Sequence, residues 1–185
     1  PLLFVRSKML QEQLNKKIPK WQEDLKLILD KKGDKVISDV TVSQAIKGMR
    51  GVKGLVCDTS TVSADKGLIV RGHPILDITN ILPEEVFYLL LVGDLPNQDQ
   101  LLDLQNQLND HRVVPDYVWK ILDAMPDNSH PMTMLSIAIQ SMRVESHFVE
   151  KFNEGTPKKD YWKWVLEDGL KLIGSLPSIA AGIYR

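Results

Sequence analysis

Gly48-Met49-Arg50-Gly51-Val52-Lys53-Gly54-Leu55-Val56-Cys57-Asp58-Thr59-Ser60, answered by Gly67-Leu68-Ile69-Val70-Arg71-Gly72, is the stretch from which the fold of this chain is read. Two short apolar runs flank the polar segment Thr61-Val62-Ser63-Ala64-Asp65-Lys66, which predicts an antiparallel hairpin inside an otherwise helical chain. Glycines at 48, 51, 54, 67 and 72 give the backbone freedom to turn sharply at both ends. Arg50, Lys53 and Arg71 sit among them, so a flexible, basic stretch rich in main-chain N–H groups is a candidate for receiving an anionic ligand. Solvated surface cations are the competing reading. Cys57, lying in the first run, reads as a small buried hydrophobe.

Outward from this stretch the chain is helical. Ser7 to Lys32 is rich in Lys, Glu, Gln and Leu, and reads as two helical pieces separated at Pro19. In the second piece Trp21, Leu25, Ile28 and Leu29 form one stripe, and Gly33 is placed as the left-handed terminating residue. Val36 to Val40 reads as a short strand. Thr41-Val42-Ser43-Gln44 has the reciprocal capping pattern that starts a short helix leading into Gly48.

After the hairpin, Ile75–Leu82 and Pro83–Leu91 read as successive helices, with Pro83 at the first helical position, Glu84 and Glu85 at its positive end, and Gly93 as its stop. Asn97-Gln98-Asp99-Gln100 begins another helix, running to about His111. Pro115 opens the next, with Val118, Ile121, Leu122 and Met125 on its apolar side. Ser129-His130-Pro131 starts a helix whose Met132, Met134, Leu135, Ile137, Ala138, Ile139 and Met142 leave little polar face, so it asks for cover from its own core or from another subunit. A final pair, Lys158–Ile173 and Pro177–Tyr184, completes the pattern.

The 185 residues, 43% hydrophobic and 25% charged, suffice for a domain with a real core. A formal net charge of −1 gives no whole-chain attraction to nucleic acid or to an anionic membrane, and neither is expected as a partner. One cysteine cannot form an internal disulfide or a cysteine metal cluster. No apolar run is long enough to span a bilayer. The first residues, Pro1 to Lys8, are apolar and basic, and fit either a transit-peptide remnant or the start of the first helix. There is no Gly-x-Ser-x-Gly, no phosphate-binding Gly-x-x-x-x-Gly-Lys-Ser/Thr and no His-Glu-x-x-His, which removes the main support for hydrolase, nucleotide-triphosphatase and metalloenzyme readings. His73, His111, His130 and His147 fall on different elements and read as structural, and no catalytic residue and no metal ligand is assigned within the chain.

The Met49–Ser60 segment, in the form Met-Arg-Gly-x-Lys-Gly-Leu-Val-x-(Asp/Glu)-Thr-Ser, followed by Gly-(Leu/Ile)-x-x-Arg-Gly at 67–72, resembles the eukaryotic mitochondrial type of citrate synthase. The resemblance continues in order through Leu89-Leu90-Leu91-Val92-Gly93-Asp94-Leu95-Pro96, His130-Pro131-Met132, Tyr161-Trp162 and Leu176-Pro177-Ser178-Ile179-Ala180-Ala181-Gly182-Ile183-Tyr184-Arg185. It implies an all-α, multihelical fold with one small β-hairpin. Residues 1–34 form an N-terminal helical segment, and residues 35–185 form the N-terminal part of the large domain. The activity it implies for the intact protein is condensation of acetyl coenzyme A with oxaloacetate and water to citrate and coenzyme A, an acyl transfer in the mitochondrial matrix with no permanently bound cofactor. The alternatives are 2-methylcitrate synthase and a shortened, catalytically silent relative with a structural role.

Residue by residue, the resemblance implies that Arg50 contacts the phosphates of the adenosine end of coenzyme A, and that Lys158, in Thr156-Pro157-Lys158-Lys159-Asp160 before Tyr161-Trp162, stands where the family has an arginine contributing to the neighbouring subunit's coenzyme site. Lysine keeps the charge and loses the bidentate fork. The family's catalytic histidines and aspartate and its oxaloacetate-gripping arginines belong to a second half whose motifs do not occur here, so the 185-residue chain is expected to be inactive alone. The resemblance also implies a homodimer through the helices at 115–125 and 131–146, with Ala138 and Ile139 near its centre.

Overall fold

The computed structural model describes residues 8–185, and the reading of the residues before Lys8 lies outside that range. The fold is all-α with one small sheet. The chain forms two compact units, Pro1–Leu101 and Leu102–Arg185, the division falling inside a helix rather than in a linker.

In the first unit, α1 (Met9–Lys32) is one continuous helix through Pro19, not two pieces. Proline removes the N–H that would bond the carbonyl four residues back, at a cost of about 3 kcal/mol in a helix interior. Here that carbonyl belongs to Asn15, and both Asn15 and Pro19 are exposed, so the missing donor does not leave a buried residue unpaired. Leu10 and Leu14 are buried, and Lys17 donates to the Val92 carbonyl at 2.9 Å while pairing with Asp94, which fixes this half of α1 on α3 (Pro83–Val92). The expected stripe beyond Trp21 is not covered: Leu25, Ile28 and Leu29 are each more than half exposed. Gly33 ends the helix in the right-handed region (φ −56°), so it is not the left-handed cap its composition predicts.

No strand forms at Val36–Val40; the segment is irregular and largely exposed. The capping box at Thr41 is present, and it starts α2 (Val42–Ile46). The hairpin is a three-stranded antiparallel sheet, β1 (Ser60–Ser63), β2 (Gly67–Val70) and β3 (His73–Pro74), in the order β1-β2-β3. Ser60 pairs with Val70 and Ser63 with Gly67, while Val70 pairs again with His73. Arg71 and Gly72, at the end where a sharp turn is expected, make the two-residue turn between β2 and β3 with φ of 46° and 86°. Positive φ at both positions is what a type I′ hairpin turn requires. Val70, Ile78 and Leu89 close a small core from β2, a 3-10 turn (Ile75–Ile78) and α3. The full helix expected over 75–82 is only that turn. Pro83 starts α3, the Glu85 carboxylate accepts from the Leu82 N–H at 2.7 Å, and Gly93 ends it at φ 88°. Asn97 and Gln100 cap each other reciprocally at 2.9 Å, starting α4 (Gln98–Asp110).

In the second unit, α5 (Asp116–Asp123) and α6 (Pro131–Ser141) pack with a long α8 (Tyr161–Ile183) around Val114, Val118, Leu122, Ala138, Met142 and Ile179. Ala138 is 0% exposed within its own chain, whereas Met132, at the start of α6, is 59% exposed. His130 caps α6, its Nδ1 accepting from the Met132 N–H at 3.2 Å. α8 runs through Pro177 without a break, correcting the expected pair of helices by the same physics as at Pro19. Pro177 and Ile173, whose carbonyl loses its donor, are both exposed. One helix has no counterpart in the sequence reading: α7 (His147–Asn153). Its first turn is held by Asp168 of α8, whose carboxylate accepts from Ser146 Oγ (2.6 Å), His147 N–H (2.9 Å) and Phe148 N–H (3.1 Å). Phe148 meets Tyr161 edge to face at 5.2 Å, closing the α7–α8 hairpin.

Candidate functional site

The basic, glycine-rich loop that follows α2 is built on a reciprocal cap. Thr41 Oγ1 accepts from the Gln44 N–H at 3.2 Å, and Gln44 Oε1 accepts from the Thr41 N–H at 3.0 Å. The chain then reverses through three positive φ angles, Gly48 at 81°, Met49 at 61° and Gly51 at 77°. Glycine adopts this region freely, whereas a residue with a Cβ does so at about 1–2 kcal/mol. Met49 sustains it with its N–H donating to the Gln44 carbonyl at 2.7 Å, and Gln44 Nε2 donates to the Arg50 carbonyl at 3.3 Å. Further on, the Lys53 N–H donates to Ser38 Oγ at 3.3 Å. The loop is therefore folded back on Gln44, and its main chain is held while the Arg50 side chain is exposed. Among the described residues no hydrogen bond or ion pair occupies the Arg50 guanidinium. An exposed, unpaired guanidinium on a loop of fixed backbone can make the charge-assisted, two-pronged hydrogen bonds that phosphate accepts.

Arg71, the third cation of the stretch, is not available for a ligand. Its Nε and Nη2 both donate to the Leu90 carbonyl (3.1 and 2.9 Å), Nη1 approaches Asp58 Oδ2 at 3.4 Å, and its guanidinium lies over the Trp21 ring at 5.6 Å. It joins α1, α3 and the approach to β1, and these contacts hold a non-glycine residue in the left-handed turn. Lys53 is exposed.

Cys57 is exposed, not buried. Its Sγ lies 3.1 Å from Thr59 Oγ1, and hydrogen bonding from the Thr59 hydroxyl, followed by the Ser60 amide, lowers the thiol to a pKa of about 7. The residues on either side, Leu55 and Val56, are also more than 80% exposed, so this run never joins the sheet that would have covered it.

Lys158 is the first residue of a 3-10 turn (Lys158–Asp160) that feeds the N-terminus of α8, and both it and Lys159 are exposed. Asp160 is engaged by Lys163 at 2.8 Å, which keeps its carboxyl below the ordinary range. Arg50 and Lys158 belong to different compact units, so neither unit by itself assembles both cations.

A further concavity of about 130 Å³ lies beside α6 and α8, lined by the apolar Ile139, Met142 and Leu172 with Glu145, Asp168 and Lys171 at its polar edge. Three of its charged groups, those of Glu145, Asp168 and Lys171, are engaged within the protein, whereas Arg143, which also lines it, is exposed. Lys171 Nζ donates to Glu145 at 2.7 Å and holds that carboxyl below its usual range, and Asp168 is committed to the first turn of α7. Burial, and then the Glu145 carboxylate, push the Tyr117 phenol up. Residue patterns gave no sign of this cluster, because its members come from α5, the turn after α6, and α8.

Residues 48–185 match the family model described as the citrate synthase C-terminal domain. The mitochondrial and peroxisomal citrate synthases of Saccharomyces cerevisiae are 38% and 36% identical to the chain, covering 95% and 97% of it and 39% and 41% of their own lengths. The mitochondrial 2-methylcitrate synthase of Yarrowia lipolytica is 36% identical over 95% of the chain and 40% of its own length. A crystal structure of citrate synthase from Pyrobaculum aerophilum superposes with a TM-score of 0.67 at 24% identity, covering 82% of this chain and 39% of that one. The chain thus spans about two fifths of the length of the curated relatives it matches. A match that runs from the glycine-rich loop through α8 to residue 185, and that the fold repeats, makes this chain a member of the citrate synthase family.

Proposed function

We propose that the full-length protein is a mitochondrial-matrix citrate synthase that condenses acetyl coenzyme A with oxaloacetate and water to give citrate and free coenzyme A. The observation that carries this reading is the family match over residues 48–185. In this reading the chain supplies scaffold, the helices of a homodimer (115–125 and 131–146) and part of the coenzyme rim. Arg50 binds phosphate of the coenzyme, and Lys158 contributes a second positive charge, without the fork of an arginine, to the neighbouring subunit's site. The reaction needs a carboxylate to take a proton from the acetyl methyl group and hydrogen-bond donors to stabilise the enol and the oxaloacetate carbonyl. None of the residues described here is assigned a proton transfer; those groups are expected in the part of the family length that the chain does not span.

The test is thiol release from acetyl coenzyme A in the presence of oxaloacetate. We expect turnover by the full-length protein, none by the 185-residue chain alone, and in the full-length Arg50→Ala variant a loss of coenzyme affinity of about 1–3 kcal/mol with oxaloacetate binding unchanged, the range of a charge-assisted hydrogen bond. Turnover by the short chain would refute this location of the chemistry, and unchanged coenzyme affinity would return Arg50 to a solvated cation. The identity to a 2-methylcitrate synthase supports a second reading, which the same assay separates by a preference for propionyl coenzyme A.

A further inference from the structure

We infer that Gln44 is the positioning residue of the coenzyme loop: its amide and main chain lock the backbone on both sides of Met49, and so set where the Arg50 guanidinium points. The inference rests on the proposal that Arg50 binds a phosphate of coenzyme A. It is carried by a convergence of contacts on one residue. The Gln44 carbonyl accepts from the Met49 N–H at 2.7 Å, and Gln44 Nε2 donates to the Arg50 carbonyl at 3.3 Å. The same side chain's Oε1 accepts from the Thr41 N–H at 3.0 Å, so the amide is oriented by α2 before it meets the loop. A Cβ built on Gly51 would come 4.0 Å from Nε2, which places the amide inside the curve of the loop, not beside it.

Met49 makes the consequence sharp. It holds φ at 61°, a conformation that a residue with a Cβ adopts only when its surroundings impose it. The next residue is Arg50, and a backbone that relaxed at Met49 would swing that side chain away. Gln44 supplies two of the hydrogen bonds that oppose the relaxation, one from its main chain and one from its side chain, beside the Val52 N–H, which donates to the Met49 carbonyl at 3.2 Å. A substitution can remove only the second, so the effect is graded and leaves the fold in place. A mispointed Arg50 costs affinity for the anionic end of the coenzyme and leaves the reacting acetyl end and oxaloacetate untouched, because positioning of a remote binding group is felt in binding before it is felt in chemistry.

Two neutral substitutions separate positioning from helix capping. Gln44→Met keeps the side-chain length and loses the donor to Arg50 together with the cap acceptor. Thr41→Val loses the Thr41 hydroxyl, which accepts from the Gln44 N–H and donates to Gln44 Oε1, both at 3.2 Å, and it keeps the bond from the Thr41 N–H to Oε1 and the Gln44–Arg50 bond. In the full-length protein, with acetyl coenzyme A and oxaloacetate as the probes, Gln44→Met should raise KM for acetyl coenzyme A about 3- to 10-fold with kcat and the KM for oxaloacetate unchanged. Thr41→Val should change it by less than 2-fold, and Arg50→Ala serves as the reference. Equal effects of Gln44→Met and Thr41→Val, or no effect of Gln44→Met while Arg50→Ala weakens binding, would overturn the role of Gln44 alone. An unaltered KM in Arg50→Ala would overturn the coenzyme reading on which it rests. A fall in kcat accompanying the KM change in Gln44→Met would show general disruption of the protein and would also refute positioning.

Discussion

α8 contains three glycines whose replacement by alanine should act in opposite directions, although helix propensity treats them alike. Ala is favoured over Gly in a helix interior by about 0.5–1 kcal/mol. At Gly169 a Cβ would meet nothing within 4 Å, so Gly169→Ala should realise that gain in full. At Gly174 the same Cβ would stand 2.5 Å from the Leu108 carbonyl oxygen and 2.9 Å from His111 Cβ, well inside the 3.4 Å at which ordinary contact begins. One of those atoms is backbone of α4, so relief requires the two helices to separate. Overpacking of this kind costs about 1–3 kcal/mol and the propensity gain offsets about 0.5–1 kcal/mol of it, which leaves Gly174→Ala destabilised by about 1 kcal/mol at the middle of those ranges. At Gly182 the clash, also 2.5 Å, is with the Trp119 ring, a side chain that can turn, so Gly182→Ala should fall between the other two. Thermal and urea melts of the full-length protein, followed by circular dichroism, should rank the midpoints Gly169→Ala above the parent, then Gly182→Ala, with Gly174→Ala lowest. A Gly174→Ala variant at least as stable as the parent would refute the close approach of α8 to α4 at Leu108.

Asp168→Ala should destabilise the α7–α8 hairpin by about 1–3 kcal/mol, since it deletes a charged acceptor shared by the Ser146 hydroxyl and two N–H groups of the first turn of α7. Amide exchange at His147 and Phe148 should rise first, and unchanged protection there would refute the cap. Cys57 should react with iodoacetamide along a pH profile whose midpoint lies near 7, and Thr59→Val should move that midpoint upward, because the hydroxyl that favours the thiolate is then gone. A midpoint indifferent to Thr59 would refute the hydrogen bond as its cause.

What the sequence determined by itself is what is settled within about one helical turn. The Thr41–Gln44 box, Pro83 opening α3, Gly93 closing it in the left-handed region, the Asn97–Gln100 pair and His130 before Pro131 are all present, because a cap is made by residues two to four apart whatever the rest of the chain does. The motif around Arg50 was equally legible, together with the family it indicates and the helical fold that follows from it. What only the tertiary structure decided are the places where a local rule meets a distant neighbour or none at all. Pro19 and Pro177 break no helix, because in both cases the orphaned carbonyl belongs to an exposed residue. Arg71 looked like a ligand-binding cation and is a structural one, since Leu90, Asp58 and Trp21 come from other elements to occupy it. Cys57 and Val36–Val40 carry apolar composition that no strand collects, and α7 forms because Asp168, some twenty residues along the chain, holds its first turn. Composition reports how much a residue gains from burial, and only the assembled chain determines which surfaces are there to bury it.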